Sequence, residues 1–117
     1  MYDVAFYRDA SRRCPFEGFL DGLQPKLRAK VARDPGLLEA NGPALREPIS
    51  KPLGDGLFEL RTKLGSGIAR SLHFFHAGRA VVVTGGFVKK GRKTPRGEIE
   101  RALARRAEWL ERRAGHE

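Results

Sequence analysis

The chain has 117 residues, of which 40% are hydrophobic and 32% are charged, and it carries a net charge of +9. This length suits one domain with one core, and the interleaved apolar and charged residues exclude a disordered basic tail. Cys14 is the single cysteine, which excludes an intramolecular disulfide and a thiol pair for a metal. Without a long apolar run or a secretory pattern, we expect a cytoplasmic protein that does not contact a membrane.

The first half of the chain predicts one strand followed by helices. Weak alternation over Val4–Tyr7 predicts the strand, and Pro15 stands at the start of a helix predicted over residues 15–23. A second helical region starts at Pro25, and Asp34–Gly36 should break or kink it, because an internal proline removes a hydrogen bond. The predicted core face of this region consists of Leu27, Val31, Leu37 and Leu38.

The second half predicts three strands and a last helix. Residues 47–55 are rich in proline and glycine, which predicts a linker. A helix begins after Thr94, which we expect to cap it. We therefore expect an α+β domain whose antiparallel sheet contains the N-terminal strand and a three-stranded meander, with helices packed on one face, the opposite face open for binding, and a C-terminal helix. The meander strands are Leu57–Lys63, Ile68–His76 and Arg79–Val88, separated by turn signals at hairpin spacing.

The positive charge is concentrated in the middle of the chain. Residues 51–97 contain ten Lys or Arg against Asp55 and Glu59, a balance of +8. Four of these cations fall within residues 89–93, directly after a predicted strand. Mutual repulsion makes such a cluster unfavourable unless an anion offsets it. The segment therefore predicts a site for phosphate or nucleic acid.

Three segments taken together resemble one family of proteins. They are Lys51–Arg61, which ends in Glu-Leu-Arg, then Ile68–Phe75, and then Gly86–Ala102, which contains Phe-x-Lys-Lys-x-x-Lys-Thr-Pro. In this order and at these separations they resemble toxins of the RelE/ParE superfamily, in its HigB-like, phage-derived branch. The resemblance spans nearly the whole chain and implies a small RelE-like fold, with residues 1–117 forming a single toxin domain. It also implies a type II toxin that an antitoxin neutralises, and most such toxins are endoribonucleases that cut messenger RNA in the ribosomal A site.

Cleavage of RNA without a metal uses the 2′-hydroxyl of the RNA as the nucleophile. The protein must help to remove its proton, stabilise extra negative charge on the phosphate, and protonate the leaving 5′-oxygen. An arginine offers a planar fork to phosphate oxygens, and crowding by other cations lowers the pKa of a lysine, which suits proton transfer. We expect Arg61 and Arg70 to converge on the open face and to bind the scissile phosphate. The other predicted catalytic residues are Lys90 and Lys93, and the predicted RNA- or phosphate-binding residues are Lys51, Lys63, Phe87, Lys89, Arg92 and Arg96.

Four further assignments weigh a functional role against a structural one. Glu59 is a candidate general base, but we expect an ion pair with a neighbouring cation. His73 and His76 are three residues apart on one strand, so they should face opposite sides and share no metal. We expect His73 to pack in the core, whereas Phe87 either packs inward or stacks on a base. We expect neither a metal nor any other cofactor.

Two alternative functions stay open at this point. The ParE branch of the same superfamily binds and inhibits DNA gyrase without hydrolysis, and a non-catalytic basic nucleic-acid-binding module would also explain the charge. The cationic segment suits the phosphates of nucleic acid better than a protein surface. The partners implied by the resemblance are a cognate antitoxin, usually with a helix-turn-helix domain, the ribosome with its messenger RNA, and operator DNA bound through the antitoxin.

Overall fold

The fold is described by a computed structural model, which covers residues 1–88, 91 and 93–115. Three helices begin with a proline, at a position where the missing amide hydrogen would have had no partner. None of the helices within these residues combines the length and the apolar character needed to cross a bilayer. The elements in chain order are β1 (Asp3–Phe6), α1 (Pro15–Asp21), α2 (Pro25–Arg33), α3 (Pro35–Asn41), a 3-10 turn (Gly42–Ala44), β2 (Ser50–Gly54), β3 (Leu57–Leu64), β4 (Gly67–His76), β5 (Ala80–Val88) and α4 (Arg96–Ala114).

The five strands form one sheet in the order β1-β5-β4-β3-β2. Strands β3, β4 and β5 make the predicted antiparallel meander, and β2 pairs antiparallel with β3. Strand β1 lies parallel to β5 at the opposite edge. The chain therefore has the predicted α+β fold, with a mostly antiparallel sheet and a C-terminal helix.

Strand β2 lies in a segment where the sequence predicts a linker. Ser50 pairs with Leu60 and Pro52 pairs with Phe58, and the register shifts between Pro52 and Gly54. The sheet tolerates this proline because β2 is an edge strand, where one amide hydrogen of each pair of residues faces away from the ladder. The expectation of a linker is therefore wrong for residues 50–54, since proline and glycine there belong to an edge strand.

Helices pack on both faces of the sheet. The cluster on one face joins α1, α2 and α3 to the sheet through Phe16, Leu23, Val31, Leu38, Leu60, Ala69, Val81 and Val83. The cluster on the other face joins α4 to the sheet through Leu57, Leu72, Phe74, Val82, Ile99, Ala102, Leu103 and Trp109. The expectation of one fully open face is therefore wrong, because α4 folds back and buries its apolar stripe there.

The predicted break in the second helical region is present, since α2 ends at Arg33 and α3 begins at Pro35. Val31 and Leu38 are fully buried, as predicted. Leu37 was also expected in the core, yet 36% of its surface is exposed. Neighbouring residues of a helix point about 100° apart, so only one of two adjacent leucines can face the sheet. The prediction for Leu37 is therefore wrong, and its side chain lies at the surface.

His73 lies inside the core, as expected. Its ring is fully buried, stacks on Phe58 at a centroid distance of 5.7 Å, and meets Phe75 edge-on at 5.5 Å. Neither ring nitrogen has a hydrogen-bond partner in the part of the chain that the structure describes. Burial lowers the pKa of His73 from 6.5 to about 4, because a charged imidazole in this apolar site would lose its hydration. The folded protein therefore holds the neutral ring.

We expect the free energy of unfolding to fall as the pH drops from about 6.5 to about 4. In this interval the unfolded chain binds a proton at His73 and the folded chain does not, so acid favours unfolding. The pKa difference corresponds to about 3 kcal/mol. Urea denaturation of the wild type and of His73→Phe over a pH series measures this pH dependence of the unfolding free energy, because the variant has no imidazole at position 73 to titrate. Identical pH dependence in the two proteins would contradict the prediction.

Candidate active site

A buried carboxylate forms the centre of the candidate site. Glu59 of β3 has no exposed surface, and a buried charge is costly unless it is paired and hydrogen-bonded. Its Oε2 accepts a hydrogen bond from Nε of Arg61 at 3.1 Å and another from Nη1 of Arg70, while its Oε1 accepts one from Oγ1 of Thr94. The expected ion pair of Glu59 is therefore confirmed. Its burial argues against a direct role as a base on a bound substrate.

The two arginines that contact Glu59 come from neighbouring strands. Arg61 of β3 lies directly opposite Arg70 of β4, so the strand alternation brings them together as predicted. Like charges facing each other across a sheet repel, and the carboxylate beside both of them offsets that repulsion. The side chain of Arg61 is 27% exposed and that of Arg70 is 5% exposed. Arg61 therefore reaches solvent, whereas Arg70 is almost covered, and burial lowers the pKa of its guanidinium.

Thr94 has a different role from the one that the sequence predicts. The residue that caps α4 is Pro95, and no side chain forms a capping hydrogen bond there. The hydroxyl of Thr94 instead donates to Glu59 across 35 positions of the chain. The capping prediction is therefore wrong, because a buried carboxylate is a stronger acceptor than water for this hydroxyl. The contact fixes the segment before α4 to the middle of the sheet.

Two of the predicted lysines lie close to the arginine pair. Lys51 of β2 is the register partner of Glu59, so it borders the pair from the next strand. Lys63 follows Arg61 by two residues, which places it on the same face of β3, and it lines one cleft together with both arginines. Four cations thus lie on the same face of three neighbouring strands, and two of them, Arg61 and Arg70, contact Glu59. This is an arrangement suited to the oxygens of a phosphate group.

The predicted cations that follow β5 are placed differently. Lys93 is exposed. Arg96 is the first residue of α4, and its Nε contacts a carboxylate oxygen of Glu100 at 3.1 Å on the helix surface. Three other predicted residues, Lys89, Lys90 and Arg92, lie outside the described residues. The roles of these five cations stay predictions.

Phe87 of β5 is the register partner of Arg70. Its ring is half-buried and packs against the apolar cluster that α4 covers. Of the two interpretations of this residue, inward packing accounts for the buried part of the ring. Contact with an RNA base stays a prediction for the part that is exposed.

The two histidines of β4 face opposite sides of the sheet, as predicted. His73 stacks on Phe58, whereas the ring of His76 meets Trp109 of α4 at a centroid distance of 5.2 Å. Within residues 1–88, 91 and 93–115, no group of three or more His, Cys, Asp or Glu side chains is arranged to hold a metal ion. Each of the two rings packs against an aromatic side chain, Phe58 for His73 and Trp109 for His76.

A cleft of about 460 Å³ adjoins the arginine pair at the edge of the sheet. Strand β2 pairs with β3 as far as Leu60, and one further backbone hydrogen bond joins Arg61 to Ile49. Beyond this point β2 no longer pairs with β3, and the backbone oxygen of Lys63 instead accepts a hydrogen bond from Nζ of Lys30 at 2.5 Å. The cleft lies along this part of β3. Sequence reasoning missed Asp34, Leu37 and Ile49 as residues of this cleft. The one signal available was the adjacent leucines of α3, of which only one can be buried.

Comparison with known proteins identifies a family for most of the chain. The model of the family described as phage derived protein Gp49-like (DUF891) matches residues 18–107. This family belongs to the RelE/HigB-type toxin superfamily. The match includes Glu59 and the three side chains that donate hydrogen bonds to it in the described part of the chain, Arg61, Arg70 and Thr94. No curated protein matches the chain.

Proposed function

The chain belongs to the Gp49-like family of phage-derived proteins, and from this membership we propose that it is the toxin of a type II toxin-antitoxin system, of the HigB-like branch. We further propose that it is an endoribonuclease that cuts messenger RNA on the ribosome. The observation that carries the proposal is the cross-strand pair of Arg61 and Arg70, held by the buried carboxylate of Glu59. Its partners are then a cognate antitoxin, the ribosome and messenger RNA, with operator DNA bound through the antitoxin.

The arginine pair suits the negative charge that develops when a phosphodiester is attacked. The 2′-oxygen of the RNA forms a bond to phosphorus, its proton leaves to a base, and the bond to the 5′-oxygen breaks as that oxygen takes up a proton. Arg61 presents its terminal nitrogens to solvent, since in the described part of the chain only its Nε is engaged, with Glu59. Preorganised donors of this kind lower the barrier because they need no reorientation during the reaction.

Glu59 acts in this scheme as a positioning residue. Its carboxylate has no exposed surface and already accepts three hydrogen bonds, so it fixes the orientation of both guanidinium groups rather than touching the RNA. The protons are assigned to lysines. Lys93 and Lys90 keep the acid and base roles that the sequence predicts for them, and Lys51 and Lys63 bind phosphates beside the scissile one.

We expect induction of the protein to produce new transcript ends within translated reading frames. The physical reason is that both arginines line one cleft, where the partly exposed Arg61 can contact a phosphate of the RNA. Sequencing of transcript ends, with and without an inhibitor of translation initiation, measures both the cuts and their dependence on the ribosome. Relaxed plasmid DNA together with intact transcripts would instead establish a ParE-like inhibitor of gyrase.

The same experiment separates a catalyst from a passive nucleic-acid-binding protein. A binding module would stall translation and leave transcripts uncut. Co-expression with the reading frame adjacent to that of the toxin tests for the antitoxin, and relief of growth arrest by a small helix-turn-helix protein would support the partner assignment. Growth arrest that no neighbouring gene relieves would contradict it.

A further inference from the structure

We propose that the cleft beside the arginine pair is a subsite for one nucleobase of the RNA, adjacent to the phosphate that Arg61 and Arg70 hold. The inference rests on the proposed function and names a site within it. The cleft has a volume of about 460 Å³, which lies within the range of roughly 300–1,000 Å³ typical of small-ligand sites. Because both arginines line it, a phosphate bound to them lies close enough to the cleft for the base of the same or the adjacent nucleotide to enter it.

The wall of the cleft is apolar and accessible. Leu37 of α3 is 36% exposed and Ile49 before β2 is 41% exposed, and both line it together with Pro48 and Ile68. Large apolar side chains that lie together at the surface, surrounded by polar groups, mark binding sites, whereas a single exposed apolar residue does not. A nucleobase has two flat apolar faces, which such a wall can cover. The wall therefore fits a base better than a sugar or a second phosphate.

The charge of the cleft selects an anionic ligand. Among the described residues, the cleft is lined by four cations, Lys30, Arg61, Lys63 and Arg70, and by one acid, Asp34. With Glu59 behind the arginines, these residues sum to a net charge of +2. A ligand that combines an apolar group with adjacent negative charge is required, and a nucleotide has that composition. An apolar segment of a protein would satisfy the wall but would leave the cations without partners.

Asp34 gives the subsite a means of choosing among bases. Its Oδ2 accepts a hydrogen bond from Oγ1 of Thr62 at 2.6 Å. This bond fixes the carboxylate at the junction between α2 and α3, beside β3. In the described part of the chain its other oxygen has no donor, so it is open to the exocyclic amino group of a base. A carboxylate accepts hydrogen bonds only. The subsite should therefore favour adenine, cytosine or guanine, each of which has an exocyclic amino group that donates. Uracil has no amino group, and its ring N–H lies between two carbonyl oxygens that the carboxylate would repel.

The test uses reporter messenger RNAs with a randomised codon, translated in a cell extract with the purified toxin, and sequencing of the cut ends. We expect Leu37→Ala and Ile49→Ala to lower kcat/KM about tenfold, the loss expected when part of an apolar pocket is removed, and to flatten the base preference next to the cut. Asp34→Asn should raise cutting beside uracil, because an amide can also donate. Leu110→Ala is the matched control, since Leu110 on α4 is 37% exposed and lies away from the cleft.

Each outcome bears on the proposal. Cutting with unchanged rate and base preference in all three cleft variants would overturn the subsite while leaving the proposed endoribonuclease intact. Absence of cutting by the wild type would overturn both. Unchanged cutting combined with loss of neutralisation by the antitoxin in Leu37→Ala would assign the cleft to an antitoxin segment instead. Thermal unfolding of every variant excludes loss of fold, and the two truncations at different elements guard against one of them misfolding.

Discussion

Arg70→Ala should lower the rate of RNA cleavage about 100- to 1,000-fold, the loss expected when one preorganised donor to a developing oxyanion is removed. Arg70 is one of the two guanidinium groups joined to Glu59, and its side chain is almost fully enclosed. Alanine removes both the positive charge of Arg70 and the planar set of N–H donors of its guanidinium group. Among the described residues, no other cation occupies the same position opposite Arg61. The measurement is single-turnover cleavage of a ribosome-bound messenger RNA by wild type and variant.

Two further variants show whether this effect is specific to the site. Arg105→Ala removes another partly buried arginine, which donates to the backbone oxygen of Thr84 at 3.2 Å and does not line the cleft. This variant should leave the cleavage rate close to that of the wild type. Arg70→Lys keeps the charge but lacks the planar fork, so we expect it to recover part of the rate. Full activity of Arg70→Ala with an intact fold would remove Arg70 from the site.

Glu59→Ala should lower the free energy of unfolding by about 3–5 kcal/mol, because it leaves two buried or half-buried arginines without their shared counter-ion. The carboxylate accepts hydrogen bonds from three side chains on three different segments, so its removal also frees the segment before α4. Chemical denaturation followed by circular dichroism measures the loss. Glu59→Gln retains the shape and an acceptor oxygen, and its loss should be smaller.

A surface ion pair provides the control for Glu59. Glu100 contacts Arg96 at 3.1 Å with side chains that are 63% and 89% exposed, and pairs of this kind contribute little to stability because water and salt screen them. Glu100→Ala should therefore change the unfolding free energy by less than about 0.5 kcal/mol. Equal losses of unfolding free energy in Glu59→Ala and Glu100→Ala would show that burial does not determine how much the ion pairs of Glu59 stabilise the fold.

Local patterns were enough to predict most of the fold. The alternation in β3 and β4 placed Glu59 and Arg61 on one face and brought Arg61 opposite Arg70, because the side-chain period of a strand is two. The helix break at residue 34 followed from a single proline. Such features depend only on residues that are close in the sequence, so they can be predicted from the local pattern.

Features that depend on distant contacts were missed. The role of Thr94 is set by a carboxylate 35 positions earlier, and the edge strand β2 exists because β3 offers it a ladder. The cleft with Leu37 is likewise produced by α2, α3, the residues before β2, and strands β3 and β4, which meet at one edge of the sheet. Capping rules and proline preferences describe the structure that a residue favours when only its neighbours in sequence act on it. For Thr94, Pro52 and Leu37, contacts with residues distant in the sequence are stronger than that local preference.

The parallel pairing of β1 with β5 bears on the order in which the chain folds as it is made. Asp3 is the register partner of Ala80, 77 positions later, so the amino-terminal strand has no partner in the sheet until the ribosome has made most of the protein. The meander joins strands separated by short turns, which close at little entropic cost. We therefore expect the meander to form first and β1 to dock last. The hydrogen bonds around Glu59 would then be complete only after Thr94, just before α4, has emerged from the ribosome.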